Sequence, residues 1–258
     1  NVPVVTLITY GHHINAPFWN QKTRGVRTKA TMTQIINGKE IGTLSIDEIN
    51  DRINQAFEYD DFAWQRENKI PVKYKDRAKG LHKVLYQCPD CRTEYKMASG
   101  GDEIWCEHCS KRWKMSELGE LKAVEGDTRF SHIPDWYEWE REQVRHEVES
   151  GTYCFRSDVT VRMLPNSKGF IDIGRGEMVH DMNGFELTGA YDGTQYKLTI
   201  PAQSVYSCHI EYEYGKYRRD CVDLNTLKDS FWVFPRGDNF SVTKISLATE
   251  ELFNYRKP

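Results

Sequence analysis

At 258 residues the chain has room for two or three compact units at roughly 100 to 200 residues each, and its 39% hydrophobic and 12% aromatic content can fill real cores, which excludes wholesale disorder. The 35 basic and 38 acidic residues leave a formal charge of −3, so nucleic acid or anionic lipid would have to be met by a local patch. The longest strongly apolar stretch, around Val4 to Ile8, is far short of the roughly 20 residues of a membrane helix.

Residues 1–60 read as the end of an α/β unit. Val2 to Ile8 is a continuous β-branched run of the kind buried on both faces of a sheet, and Val26 to Ile36 is a second strand candidate. Entry at Asn1 directly into such a strand reads as a fragment whose preceding chain is missing. Asn37-Gly38 turns the chain. Ser45 with Glu48 then forms a capping box, and Ile46, Ile49, Ile53, Ala56 and Phe57 keep helical spacing, which predicts a helix over 46–58. His12-His13 follows the first strand beside Gly11, where α/β folds place functional loops, so this pair is a candidate site.

Residues 61–81 read as a basic linker. Lys69, Lys73, Lys75, Arg77, Lys79 and Lys83 face a single Asp76, a solvated spacer or a strip for anionic surfaces such as a membrane.

Residues 82–118 carry the most specific motif. Cys88-Pro89-Asp90-Cys91 and Cys106-Glu107-His108-Cys109 are two Cys-x-x-Cys turns, and a hairpin between them can bring four thiolates into a tetrahedron around Zn2+. Its expected arms are Thr93 to Met97 and Ile104-Trp105, with Ser99 to Asp102 as the turn. Four sulfurs leave no position for water, so the zinc would be structural. The other readings are a redox dithiol or metal-free surface cysteines. A reducing, cytoplasmic setting suits this cysteine usage. His82 and His108 read as surface residues and not ligands. Arg92, Lys96, Lys111 and Arg112 are balanced by Glu94, Asp102, Glu103 and Glu107, which argues against a nucleic-acid ribbon.

Residues 119–151 form a connecting segment with a helix expected from Ser131 to Gly151, capped by Asp135 with Glu138 as its partner. Residues 152–258 change to short alternating runs: Tyr153 to Val161, Phe170 to Ile173, Phe185 to Leu187, Tyr196 to Ile200, Val205 to Tyr212, Cys221 to Leu224 and Phe231 to Phe234. Seven strands predict a β-sandwich or barrel, and Ile245, Ala248, Leu252 and Tyr255 predict a closing C-terminal helix. That combination resembles the pleckstrin-homology-like architecture. Cys154 and Cys221 read as small core residues and His180-Asp181 as a turn. Cys208-His209 is no catalytic pair, because adjacent strand residues point to opposite faces. The fold class is thus α+β and multidomain.

Val2-Pro3-Val4-Val5, Arg24-Gly25-Val26-Arg27 and Asn37-Gly38-Lys39-Glu40-Ile41, followed by the Ser45 to Phe57 helix, resemble the last part of the catalytic domain of bacterial 1-acylglycerol-3-phosphate acyltransferases, the glycerolipid acyltransferase family. The rest, with Phe130 to Trp139, resembles a C-terminal extension found on some members. The resemblance implies phospholipid biosynthesis, with acyl transfer to a lysophosphatidate-type acceptor in a parent protein at the inner face of the cell membrane. Within this chain it implies a scaffold, regulatory or interaction module, with a protein partner at the β domain. The family's His-x4-Asp pair is absent: the residues five after each His are Pro17, Phe18, Gln87, Trp113, Tyr137, Gly151, Phe185 and Tyr214. Its Phe-Pro-Glu-Gly block is imitated only by Phe234-Pro235-Arg236-Gly237, and Thr6 replaces a frequent second Pro. No catalytic residue is therefore assigned. A zinc-ribbon adaptor for protein or nucleic acid, unconnected with lipid, is the alternative.

Overall fold

The N-terminal apolar run forms β1 (Val4–Tyr10), which enters the short helix α1 (His12–Asn15) and pairs antiparallel with β2 (Lys29–Ile36). The structure, a computed structural model, describes residues 2–20, 22–165 and 168–256. β1 is not buried on both faces as its composition suggested. Thr6 and Ile8 point inward, while Val5 and Leu7 are 47% and 61% exposed and the cross-strand partner of Leu7, Met32, is 74% exposed. β2 begins three residues later than expected. Helix α2 (Ile46–Phe57) has the predicted capping box: Glu48 N donates to Ser45 Oγ and Ser45 N to Glu48 Oε2.

The basic linker is not a plain spacer. It opens with α3 (Asp61–Glu67), capped by Asp60, whose Oδ1 accepts from Phe62 N and Ala63 N. Its later part is drawn into the core through Val72, Ala78 and Leu81. Gly80 permits that approach: its φ is +89°, and a Cβ there would lie 2.2 Å from the Trp19 carbonyl oxygen.

The ribbon is a four-stranded antiparallel meander, β3 (Met97–Gly100), β4 (Glu103–Cys106), β5 (Arg112–Met115) and β6 (Leu121–Ala123). The first arm begins at Met97 and not Thr93, because Tyr95 takes a left-handed backbone (φ 60°) that interrupts an extended run. The last two strands were not anticipated, and the sheet runs past residue 118. Helix α4 (Ile133–Glu149) has His132 and not Asp135 at its N-cap, because Pro134 fits the first turn with its fixed φ. Trp136 of α4 is fully buried and meets Trp113 of β5 edge-on at 5.0 Å.

All seven expected strands of the last unit form: β7 (Cys154–Leu164), β8 (Ile171–Asp181), β9 (Gly184–Tyr191), β10 (Thr194–Pro201), β11 (His209–Tyr214), β12 (Arg219–Asn225) and β13 (Ser230–Pro235). Their order is β10-β9-β8-β7-β13-β12-β11, an antiparallel meander joined between its first and last strands and open between β10 and β11. Helix α5 (Val242–Arg256) buries Ile245, Ala248 and Leu252, and leaves Tyr255 exposed.

Two side chains of the β-rich unit lie elsewhere than their sequence context suggests. Cys154 is exposed, at the strand's outer start, and His180 is a core residue of β8 and not part of a turn. His180 Nδ1 is 3.0 Å from the Tyr153 hydroxyl, its ring stacks on Phe185 at 3.8 Å, and burial pushes its pKa down to about 3, so it is neutral.

One apolar cluster runs from Leu85, Ile104 and Trp113 through Trp136 to Val159, Val161, Val222 and Val233, so ribbon, α4 and β-rich unit share a core. Ion pairs frame it. Arg141 reaches Glu250 at 2.5 Å, Arg145 reaches Glu251 at 2.9 Å, and the buried Lys244 ammonium lies between Glu94 (2.9 Å) and Glu147 (2.7 Å). A buried ammonium is tolerated only when paired in this way.

Candidate metal centre

The two Cys-x-x-Cys turns have the same local geometry. Cys88 N donates to the carbonyl five residues on (Thr93 O, 3.0 Å), and Arg92 N donates back to Cys88 O at 2.9 Å. Cys106 N donates to Lys111 O and Ser110 N to Cys106 O, each at 2.9 Å. In both turns the fourth residue after the first cysteine is left-handed: Arg92 at φ 61° and Ser110 at φ 64°. The amides of Asp90 and Cys91 point at the Cys88 sulfur, and those of His108 and Cys109 at the Cys106 sulfur. Each turn therefore presents one sulfur cradled by backbone N–H groups, the arrangement that stabilises a thiolate.

All four sulfurs lie within 4.8 Å of one another. Cys88 Sγ is 3.7 Å from Cys109 Sγ, and Cys91 Sγ is 3.7 Å from Cys106 Sγ. A regular tetrahedron with metal–sulfur bonds of about 2.3 Å has edges of about 3.8 Å, so the spacing fits one tetrahedral ion. Burial raises the Cys88 and Cys106 thiols. At Cys91 burial also acts upward, but hydrogen bonds involving Thr93, His108 and Cys109 outweigh it and lower the pKa. His108 stays outside the ligand set, with Nδ1 3.2 Å from Thr93 Oγ1, and so does the half-buried His82, whose Nδ1 lies 2.8 Å from Ser99 Oγ.

The support around the turns was not anticipated from the sequence. Gln87, next to Cys88, is clasped by α4: its N–H donates to Glu140 Oε1 at 2.8 Å and its carbonyl accepts from Trp136 Nε1 at 3.0 Å. Arg129 Nη1 donates to Pro89 O at 2.9 Å while its guanidinium lies over Phe130 and Trp139. Lys111 pairs with Asp90 at 3.2 Å. Groups like these fix the ligand loops. A signal for Glu140 existed, since it stands four residues from both Trp136 and Val144 on the apolar stripe of α4.

The left-handed position gives a direct check of the turn geometry. Ser110→Gly should be neutral or slightly stabilising, and Ser110→Val should cost about 1–2 kcal/mol, because a β-branched residue resists this backbone. Thermal unfolding of the metal-loaded protein reads both.

The six basic candidates do not act as one strip. Lys69, Lys73, Lys75 and Lys79 are exposed. Arg77 instead donates to Met115 O at 2.7 Å and pairs with Asp102 at 2.8 Å, and Lys83 bridges Glu213 (3.0 Å) and Asp220 (3.1 Å). His13 lines an apolar hollow of about 460 Å3 with Phe18, Trp19, Phe62 and Tyr137. Beside it His132 Nε2 meets Asp60 Oδ2 at 2.5 Å while Nδ1 faces Arg66 Nη1 at 2.9 Å. Arg66 can only donate, so His132 keeps its Nδ1 lone pair and holds its proton on Nε2 toward Asp60. Asp61 is likewise engaged by Gly11 N and His13 N. These contacts lock α3 to its neighbours. Cys208 is buried and its sulfur contacts the carbonyls of His209 and Asp223, while His209 turns to Glu211, so the two form no catalytic pair.

The fold and site define a mixed α+β protein with antiparallel sheets, a closing C-terminal helix and a four-cysteine cluster able to hold a metal ion. No protein-family model, curated protein or solved structure matches the chain.

Proposed function

We propose that the chain is the non-catalytic C-terminal region of a glycerolipid acyltransferase that acylates a lysophosphatidate-type acceptor, with a structural zinc in its ribbon and a β-rich unit of pleckstrin-homology-like architecture serving as a scaffold or interaction module. The observation that carries this reading is the uncovered apolar surface of residues 2–57. Val5, Leu7 and Met32 are exposed on one face of a two-stranded sheet, α2 buries no residue fully, and Ile46 and Phe57 are 77% and 55% exposed. A two-stranded sheet is marginal alone, and apolar surface of this extent marks a contact face. A larger α/β layer against it suits an acyltransferase domain. Four thiolates with tetrahedral spacing favour zinc, and the meander open between its fourth and fifth strands under a C-terminal helix favours the pleckstrin-homology-like assignment.

Leu7→Asp tests the reading. In this chain it alters an exposed side chain and should change stability by no more than about 0.5 kcal/mol. In a longer polypeptide carrying an upstream His-x4-Asp block, the same change should strongly lower acyl transfer to lysophosphatidate, while this chain alone should show no turnover. Turnover by this chain, or an unaffected longer enzyme, would contradict the proposal.

Membrane contact is part of the reading. Among the described residues no helix is long and apolar enough to cross a membrane. The four exposed lysines can each contribute on the order of 1 kcal/mol near an anionic leaflet, less after screening. We expect weak cosedimentation with phosphatidylserine vesicles that fades with salt and is lost when Lys69, Lys73, Lys75 and Lys79 become Gln. Tight binding to duplex DNA without vesicle binding would favour the adaptor alternative.

A further inference from the structure

The opening between β10 and β11 holds a crevice of about 250 Å3. Phe185, Ile200, Val205 and Leu224 supply apolar walls, Asp223 and Asn225 line it too, and its described lining includes no lysine or arginine. Asp223 Oδ1 is buried and has no hydrogen-bond partner. Asn225 turns its own oxygen to the Ser230 hydroxyl (2.5 Å), and its side chain lies beside Asp223 without supplying Oδ1 a partner. His209, opposite Asp223 in the β11–β12 register, faces Glu211 instead at 3.2 Å. Burial, acting first, holds the Asp223 carboxyl above its ordinary value, against the smaller opposing pull of the Asn225 side chain and of His209.

We propose that this crevice binds a primary ammonium on an aliphatic stem, the chemistry of a lysine side chain presented by a protein partner. A bare buried carboxylate oxygen is costly until a donor reaches it. One free oxygen suits the point charge of an ammonium better than the bidentate fork of a guanidinium. The apolar walls suit the methylene stem. A partner chain is favoured over a free amine because β10 and β11 are the end strands of the sheet, and end strands offer backbone groups to an extended segment. This inference stands independently of the acyltransferase reading.

The probe is n-butylammonium chloride, titrated into the 15N-labelled full chain. Saturable amide shifts should be confined to residues 204–209 and 223–225, with none from n-butanol at equal concentration. Asp223→Asn should weaken binding by at least about tenfold. A capped pentapeptide with a central lysine between valines should bind more tightly than the amine, and its arginine counterpart less tightly than the lysine peptide. Should Asp223→Asn fail to fold, Val205→Trp, which fills the crevice and leaves the carboxylate in place, should abolish the shifts. No saturable shift, equal shifts from n-butanol, or unchanged binding in either variant overturns the proposal. Peptides no better than the amine overturn its assignment to a protein partner.

Discussion

Cys106→Ser should release the metal and melt the ribbon, the largest loss expected from any single side chain. Structural zinc supplies on the order of 10 kcal/mol of apparent binding free energy, and strands of three or four residues cannot hold a sheet without it. The loss should spread in one direction. Gln87 would no longer be held for Trp136 and Glu140, so the first turns of α4 should lose protection with residues 85–123. Val159, Val161, Met178, Leu187, Val222 and Val233 belong to the core shared with the ribbon, but the seven-stranded ladder includes no ribbon strand, so the β-rich unit should lose less protection than residues 85–123. Hydrogen exchange with mass-spectrometric readout checks this. Unchanged protection across 85–123 would show that the cysteines do not organise the ribbon.

Glu140→Gln should stabilise the protein at neutral pH and flatten its stability–pH curve. Glu140 is fully buried and Oε2 has no hydrogen-bond partner; desolvation drives its pKa well above the ordinary 4.5, against the hydrogen bond from Gln87 N. The native state therefore keeps a proton that the unfolded chain releases above about pH 4.5. The stability this gives is fully present below the unfolded value and is lost as pH rises through the folded one, at up to about 1.4 kcal/mol per pH unit. Glutamine keeps an acceptor for Gln87 N and carries no titrating proton. Chemical denaturation from pH 5 to 8 should show a falling curve for the wild type and a flatter one for Glu140→Gln. Parallel curves would mean that Glu140 is not the source. Trp136→Ala at the same clasp should cost about 3–5 kcal/mol at every pH.

The parts legible in the sequence were those written in local chemistry. Ser45 and Glu48 fix a helix start within four residues, and the two Cys-x-x-Cys turns carry their own hydrogen-bond pattern. The seven strands of the last unit were visible because turn residues separate alternating runs. Pairing across distance was not visible. The meander order joins β7 to β13, about 70 residues apart, and no local pattern encodes that contact. Val4 to Ile8 is apolar enough for two buried faces, yet composition cannot say what covers it. The basic residues at 69–83 looked alike in sequence, but Arg77 and Lys83 find carboxylates on distant elements while four lysines remain exposed. Arg112-Trp113-Lys114-Met115 does alternate, and its burial follows that alternation, but four residues are too few to separate a strand from a loop by pattern alone.

Cys88, Cys91, Cys106 and Cys109 lie close enough together to hold one metal ion, which we propose is a structural zinc. X-ray absorption at the zinc edge on purified, metal-replete protein tests it most directly. The expected result is one zinc per chain with four sulfur neighbours at about 2.3 Å and no nitrogen or oxygen in the shell. A mixed sulfur and nitrogen or oxygen shell, or reduced protein without stoichiometric zinc, would contradict it.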